Sequence, residues 1–445
     1  MGTAETLRAV ETVWRIESAR LIAGLARLTH DLSLAEELAQ EALEAALRQW
    51  PAEGVPRNPG AWLMAAGKRR AIDGFRRSRM IERKHLELAI DLDPTDSSAE
   101  AEIEAAIDDE IGDELLALIF TACHPVLSTE ARVALTLRLI GGLSTEEIAS
   151  AFLTSEATIA QRIVRAKKAL AKAGVAYEVP RGAKREARLS SVLEVLYLIF
   201  GEGYAPAAED AWTRPGLCDE AMRLGRVLAG LAPDEAEVYG LLALMELQAS
   251  RLPTRAGPDG VPILLLDQDR SRWDRILIQH GLKALSVAEN LAPSGPYTLQ
   301  AAIAACHARA LTAEATDWAR IASLYDSLYR ALPSPVVDLN RAVAKAMAFG
   351  PAVGLELVDE ILADGTLDTY HLAHSVRGEF LTRLGRTDEA RGALLQAAAL
   401  ARSDREKKLM EERAAALGQA RGLPSAPAKK RGTTPLRSIQ SQYSR

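Results

Sequence analysis

The stretch Leu143-Ser144-Thr145-Glu146-Glu147-Ile148-Ala149-Ser150-Ala151-Phe152, then Ser155-Glu156-Ala157-Thr158-Ile159-Ala160-Gln161-Arg162-Ile163-Val164-Arg165-Ala166-Lys167-Lys168, decides how this chain is read. Ser144 with Glu147 three residues on has the spacing of a capping box, which starts a short helix. Ile148 and Phe152 fall four apart on one side of it. A second helix begins near Thr154-Ser155. Its Ile159, Ile163, Ala166 and Leu170 form one apolar stripe, with Arg162, Arg165, Lys168 and Lys172 off that stripe. Two short helices joined by a tight turn, the second with a polar and basic front, have the geometry that enters a DNA major groove.

The rest of the chain bounds that reading. Its 445 residues exceed one compact core, so roughly two to four domains are expected. The net charge is −6, so DNA contact must come from local basic patches. Cys123, Cys218 and Cys306 lie far apart without a CxxC pair, which suggests neither a disulfide framework nor a zinc site. No signal-like start and no membrane-length apolar run is present, so a cytoplasmic protein is expected. Alanine and leucine abound. The main strand candidate, Val261-Pro262-Ile263-Leu264-Leu265-Leu266, is short, so the chain is expected to be all-α.

Periodicity predicts helices over 7–28, Asp31–Trp50 and Gly60–Met80. Ser33, with Glu36 three residues on, is the expected cap of the second, and Pro51 its expected stop. The third is dense in Lys68, Arg69, Arg70, Arg76, Arg77 and Arg79. Asp91–Asp109 is acidic and reads as a linker. From Pro180 the chain becomes a series of helix pairs. Leu372–Leu400, with Leu384-Gly385-Arg386 and Ala397-Ala398, has the pattern of a tetratricopeptide-type hairpin, and Asn340–Ile361 reads as a degenerate copy. The tail from Pro424 to Arg445, rich in Pro, Ser, Lys and Arg, reads as disordered.

Three segments together resemble a known family. Ala35-Glu36-Glu37-Leu38-Ala39-Gln40-Glu41 with Trp50 resembles a region-two helix of bacterial sigma factors. Asn58-Pro59-Gly60-Ala61-Trp62-Leu63, running to Ala71-Ile72-Asp73-Gly74-Phe75-Arg76-Arg77, resembles the next helix of that region. The helix-turn-helix resembles sigma region four through Thr158-Ile159, Arg162 and Arg165-Ala166-Lys167. Their order is similar to that of extracytoplasmic-function (ECF) sigma factors, with the remainder resembling the tetratricopeptide-like extension of one subgroup. The implied domains are region two at 1–90, a linker at 91–109, region four at 110–175, a helical extension at 180–423 and a basic tail at 424–445.

The resemblance implies roles. Glu36, Glu37, Gln40 and Glu41 would face the coiled-coil clamp of the RNA polymerase core, where opposite charges set orientation and on-rate. Arg57 and Asn58 would contact a flipped base of the −10 element, and Lys68, Arg69, Arg76 and Arg77 the phosphates nearby. Glu156, Thr158, Gln161 and Arg162 would read the −35 element, while Arg165, Lys167 and Lys168 would touch phosphates. The family often has asparagine where Arg69 stands and commonly glycine where Ala157 stands. The extension would offer a surface to a regulatory protein.

Other features read as structural. Trp50 and Trp62 are expected as core anchors. His371 and His374 lack a convincing third metal ligand. Cys123-His124 is expected to end a helix. Asp267–Asp274 reads as a helix start with internal ion pairs, without the glycine and terminal glutamate of a calcium loop. Phe200-Gly201-Glu202-Gly203-Tyr204 reads as a Gly-punctuated turn. No clustered nucleophile, metal or phosphate-cradling arrangement stands out, so neither an enzyme nor a cofactor is expected. The main rival is a helix-turn-helix regulator with a helical sensor domain that does not join polymerase.

Overall fold

In the computed structural model the described residues are 3–87, 111–204, 215–257, 263–292, 294–401 and 404–419, and they form helices and connecting turns, with an isolated bridge at Ala256 and no strand. The chain divides into two compact units, Met1–Ile199 and Phe200–Arg445. The linker at 91–109 and the tail at 424–445 lie outside the described residues, and so do Val261 and Pro262 of the strand candidate. Ile263–Leu266, its described part, forms no strand.

The first unit begins with α1 (Thr3–Thr29), α2 (Leu32–Glu53) and α3 (Pro59–Glu87). Leu21, Ile22 and Leu25 of α1 are buried with Leu38, Ala42, Ala46 and Trp50 of α2 and Leu63 and Ala71 of α3. Trp50 meets Trp62 edge-on at 5.4 Å between ring centroids, within the usual range for aromatic pairs. Two expectations about α2 are corrected. Its cap is Asp31, whose carboxylate accepts the N–H groups of Ser33 at 2.7 Å and Leu34 at 3.2 Å, and Ser33 is merely the first-turn donor. Pro51 does not stop the helix. It sits in the last turn, and the chain leaves at Gly54, whose φ of 87° suits glycine.

Four helices follow: α4 (Ile111–Ala122), α5 (Thr129–Leu139), α6 (Thr145–Ala151) and α7 (Glu156–Lys172). A long helix, α8 (Ala183–Tyr204), closes on them. Arg132 of α5, buried, donates to Ser191 Oγ at 2.6 Å and to the Glu194 carboxylate at 2.9 Å. Arg188 of α8 donates to the Phe120 carbonyl at 2.5 Å. Residues 183–199 therefore belong with the first unit. Phe200–Tyr204, expected as a turn, is instead the last turn of α8, because neither glycine in it takes a positive φ.

The second unit is a train of helices: α9 (Pro215–Leu231), α10 (Ala236–Ala249), α11 (Arg275–Leu291), α12 (Pro296–Arg309), α13 (Trp318–Ala331), α14 (Pro335–Phe349), α15 (Pro351–Ala363), α16 (His371–Arg383), α17 (Thr387–Leu400) and α18 (Asp404–Gln419). Most of the packing is between sequence neighbours, as stacked hairpins require. The expected hairpin at 372–400 is α16 and α17, which turn at Gly385 with φ 75°. The expected earlier copy is α14 and α15. A Cβ at Gly354 of α15 would lie 2.8 Å from the Phe380 ring of α16, so only glycine lets these helices approach. Asp269 and Asp274 act as caps rather than as internal ion-pair partners, and α11 starts only at Arg275.

Candidate nucleic-acid interface

The helix-turn-helix is built by its caps. Ser144 Oγ accepts the Glu147 N–H at 3.0 Å, and the Glu147 carboxylate accepts the Ser144 N–H at 2.8 Å. Ser155 Oγ accepts the Thr158 N–H at 3.2 Å and starts α7. Between them Leu153 takes φ 49°, a left-handed conformation that makes the turn tight and is rare for leucine. Ile148, Ile159, Ile163, Ala166 and Leu170 are buried, as the stripe requires. Phe152 falls one residue past the end of α6 and is half-buried.

This packing leaves the front of α7 outward. Glu156, Thr158, Gln161, Arg165 and Lys168 are exposed and Arg162 is half-buried. Glu156 is already engaged, accepting from Thr145 Oγ1 at 2.9 Å. In α3, Arg69 and Arg76 are exposed and seven residues apart, hence on one face, with Lys68 half-buried. The Arg77 side chain lies outside the described residues. Arg57 is exposed, and Asn58 caps α3 by accepting the Ala61 N–H at 3.1 Å.

Lys167 and Glu36 depart from an outward arrangement. Glu36 of α2 is 8% exposed and accepts Arg138 Nε at 2.8 Å, while its other carboxylate oxygen pairs with Lys167 Nζ of α7. Arg138 of α5 also donates to the Leu143 carbonyl at 3.2 Å, at the entry to the helix-turn-helix. Burial by itself would raise the Glu36 carboxyl. The adjacent charges and hydrogen bonds of Lys167 and Arg138 outweigh it and hold the group below the usual glutamate range. One carboxylate thus joins α2, α5 and α7. Sequence reasoning missed Arg138, because nothing near it in the chain marks a partner.

Other groups reinforce this join. Arg27 pairs with Glu114 at 3.2 Å, and the Tyr177 hydroxyl lies within reach of the carbonyls of Ala23 at 3.1 Å and Glu114 at 2.9 Å. Arg15 meets Glu147 at 3.1 Å, an exposed pair that contributes little. On the same α2 helix Glu37 and Gln40 are exposed, and Glu41 pairs with Arg70 at 3.2 Å. The expected polymerase face is therefore divided, with Glu37 and Gln40 outward and Glu36 turned to the helix-turn-helix.

Cys123 is buried beside Thr136 Oγ1 at 3.3 Å, and burial pushes its thiol up to about 11, which keeps it protonated. Among the described residues no group of three or more His, Cys, Asp or Glu is placed to hold a metal ion. None of the described helices is long and apolar enough to cross a membrane.

Residues 16–80 match the family described as Sigma-70 region 2, and residues 117–170 that described as Sigma-70, region 4. Residues 188–289 match a family of unknown function, DUF6596. The chain is 44% identical over 378 residues to the Uncharacterized protein R00370 of Rhizobium meliloti (strain 1021), which covers 85% of this chain and 88% of that one. No solved structure matches the chain. With region 2 on the α1–α3 bundle, region 4 on the capped helix pair and a DUF6596 segment after them, the chain belongs to the sigma-70 family of RNA polymerase sigma factors.

Proposed function

We propose that the chain directs promoter-specific initiation as an ECF-type sigma factor whose region 2 and region 4 are clasped together until initiation requires them apart. The observation that carries this is the Glu36–Arg138–Lys167 cluster. The resemblance gives Glu36 to polymerase and Lys167 to DNA, yet in this structure each satisfies the other. A single conformation cannot use both pairs of contacts, so docking on polymerase and DNA would compete with the clasp. Once open, Glu37 and Gln40 would meet the polymerase clamp, α3 and the Arg57–Asn58 loop would hold the −10 strand, and the front of α7 would read the −35 element.

Co-purification of the full chain with core RNA polymerase, followed by run-off transcription, tests the assignment. Wild type is expected to bind core and to initiate. Glu37→Lys, at an exposed position that no internal contact needs, is expected to weaken core binding tenfold or more. A chain that binds promoter DNA yet never joins core would instead be the sensor-type regulator.

The C-terminal helices are proposed to regulate this act, since the described promoter-binding elements end well before them. The fragment 1–199 retains Ser191 and Glu194, without which buried Arg132 would keep only Thr129 as a side-chain partner. Its transcription is expected to differ from that of the full chain. Equal transcription overturns the regulatory role.

A further inference from the structure

In the C-terminal unit three arginines gather around two aromatic rings. The Arg255 guanidinium lies 3.6 Å from the Tyr204 ring centroid, and that of Arg251 lies 5.9 Å from the same centroid. Arg251 is also 6.0 Å from the Trp273 centroid, and Arg270 is 5.2 Å from it. Among the described residues the side-chain hydrogen-bond partners of Arg251 and Arg270 are neutral. Arg251 donates to the Tyr204 hydroxyl at 2.8 Å. Arg270, only 4% exposed, donates at 3.0 Å to the carbonyls of His307 and Ala310 and to Thr316 Oγ1. Among the described residues none of the three pairs with a carboxylate. Arg251 Nε, Arg255 Nη1, Arg270 Nε and Trp273 Nε1 are buried donors without an acceptor.

Other buried or half-buried arginines do meet acids: Arg132 meets Glu194, Arg138 meets Glu36, and Arg341 meets Asp338, while Arg188 donates to a carbonyl. Aromatic faces attract a guanidinium but do not neutralise it. Three cations held together away from water repel one another: burial and then Arg251 disfavour the charged form of Arg270, and the more distant Glu314 only partly offsets them. An arrangement of that kind is relieved by an anion. Arg251 and Arg255 keep part of their surface in solvent, so they can be reached, with Arg270 fixed behind them.

We infer that this patch binds a small oxyanionic ligand, bearing a phosphate or a carboxylate, gripped by Arg251 and Arg255. The planar guanidinium fork matches both groups. Tyr204, Trp273 and the three arginines all fall within residues 188–289, so the site belongs to the DUF6596 segment. The inference does not depend on the promoter-binding reading.

Thermal unfolding and calorimetric titration of the full chain test it, in buffer free of phosphate and carboxylate. Inorganic phosphate and citrate are the probes. At least one is expected to stabilise saturably at millimolar concentration, and the preferred probe identifies the head group. Binding is expected to weaken tenfold or more in Arg255→Gln and Arg251→Gln, and to persist in Arg272→Gln, whose side chain is exposed. No saturable effect of either probe overturns the inference, as does an unchanged response in both arginine variants. The stretches 205–214 and 258–262 carry Glu209, Asp210 and Asp259, which are rival occupants. In the triple variant Glu209→Gln, Asp210→Asn and Asp259→Asn, unchanged probe binding supports the ligand. Binding that appears only in that variant overturns it, because the chain's own acids then fill the patch.

Discussion

Arg138→Met is expected to open the clasp between region 2 and region 4 while leaving every proposed polymerase and DNA contact in place. Arg138 belongs to neither proposed interface, so it separates the clasp from the contacts themselves. Its removal takes away the 2.8 Å bond to Glu36 and the bond to the Leu143 carbonyl. It leaves Glu36 with Lys167 and a long 3.5 Å bond from Gln40 Nε2. Breaking one partner of a buried ion pair costs about 3–5 kcal/mol. Arg138 retains 23% side-chain exposure, so about 2–3 kcal/mol is the better expectation here. Glu36→Ala removes the shared acid and should cost at least as much, since two cations are then left without it. Spin labels on cysteines replacing exposed Arg48 and Lys172 would report the change. The native Cys123, Cys218 and Cys306 are buried and would stay unlabelled. Wild type should give a narrow distance distribution, and both variants a longer and broader one.

If a closed state limits docking, the same variant should bind core polymerase more tightly, because apparent affinity rises with the competent fraction. At about 1.4 kcal/mol per tenfold, the gain is roughly tenfold to a hundredfold for Arg138→Met. Glu36→Ala is the informative contrast. It opens the clasp but also deletes an acid that the polymerase clamp would use, so its gain should be smaller. Identical distance distributions in all three proteins would sink the clasp.

The parts of this arrangement that the sequence made legible are those set by neighbours. The Ser144–Glu147 box, the Ser155 cap and the stripe from Ile159 to Leu170 are each decided within one or two helical turns, and the structure has all of them. Where two local signals competed, sequence reasoning chose wrongly. Asp31 and Ser33 are both competent caps, and the carboxylate that reaches two N–H groups takes the position. Pro51 looked like a stop, but a proline in the last turn forfeits one bond of a helix already ending. The clasp was not legible at all. Glu36 finds Arg138 and Lys167 at separations of 102 and 131 residues, and no periodicity reports that. The arginine patch was hidden for the same reason. Asp267–Asp274 has enough opposite charges to balance itself on paper, yet its acids turn to backbone N–H groups and Arg270 goes inward.

Acid should destabilise the C-terminal unit through His307. This α12 side chain is 4% exposed, stands edge-on to Trp318 at 5.3 Å, and has no acceptor or donor at Nδ1. Burial, then the positive charges of Arg251 and Arg270, pushes it down to about 3. The folded ring is therefore neutral across the physiological range, whereas in the unfolded chain it protonates near 6.5. Below that value the unfolded state binds the extra proton, so stability falls as pH falls, and the loss continues until the folded ring itself protonates. The slope is about 1.4 kcal/mol per pH unit, which gives about 2 kcal/mol between pH 6.5 and pH 5. The same unit holds His280, His371 and His374 as well, so the comparison must be with a variant. His307→Phe keeps a ring against Trp318 and removes the proton site. Urea unfolding at pH 7 and pH 5 should show a loss for wild type larger than that of the variant by about 2 kcal/mol. Parallel losses would mean that His307 is already protonated in the folded protein, and with it that Arg251 and Arg270 do not crowd it as the structure places them.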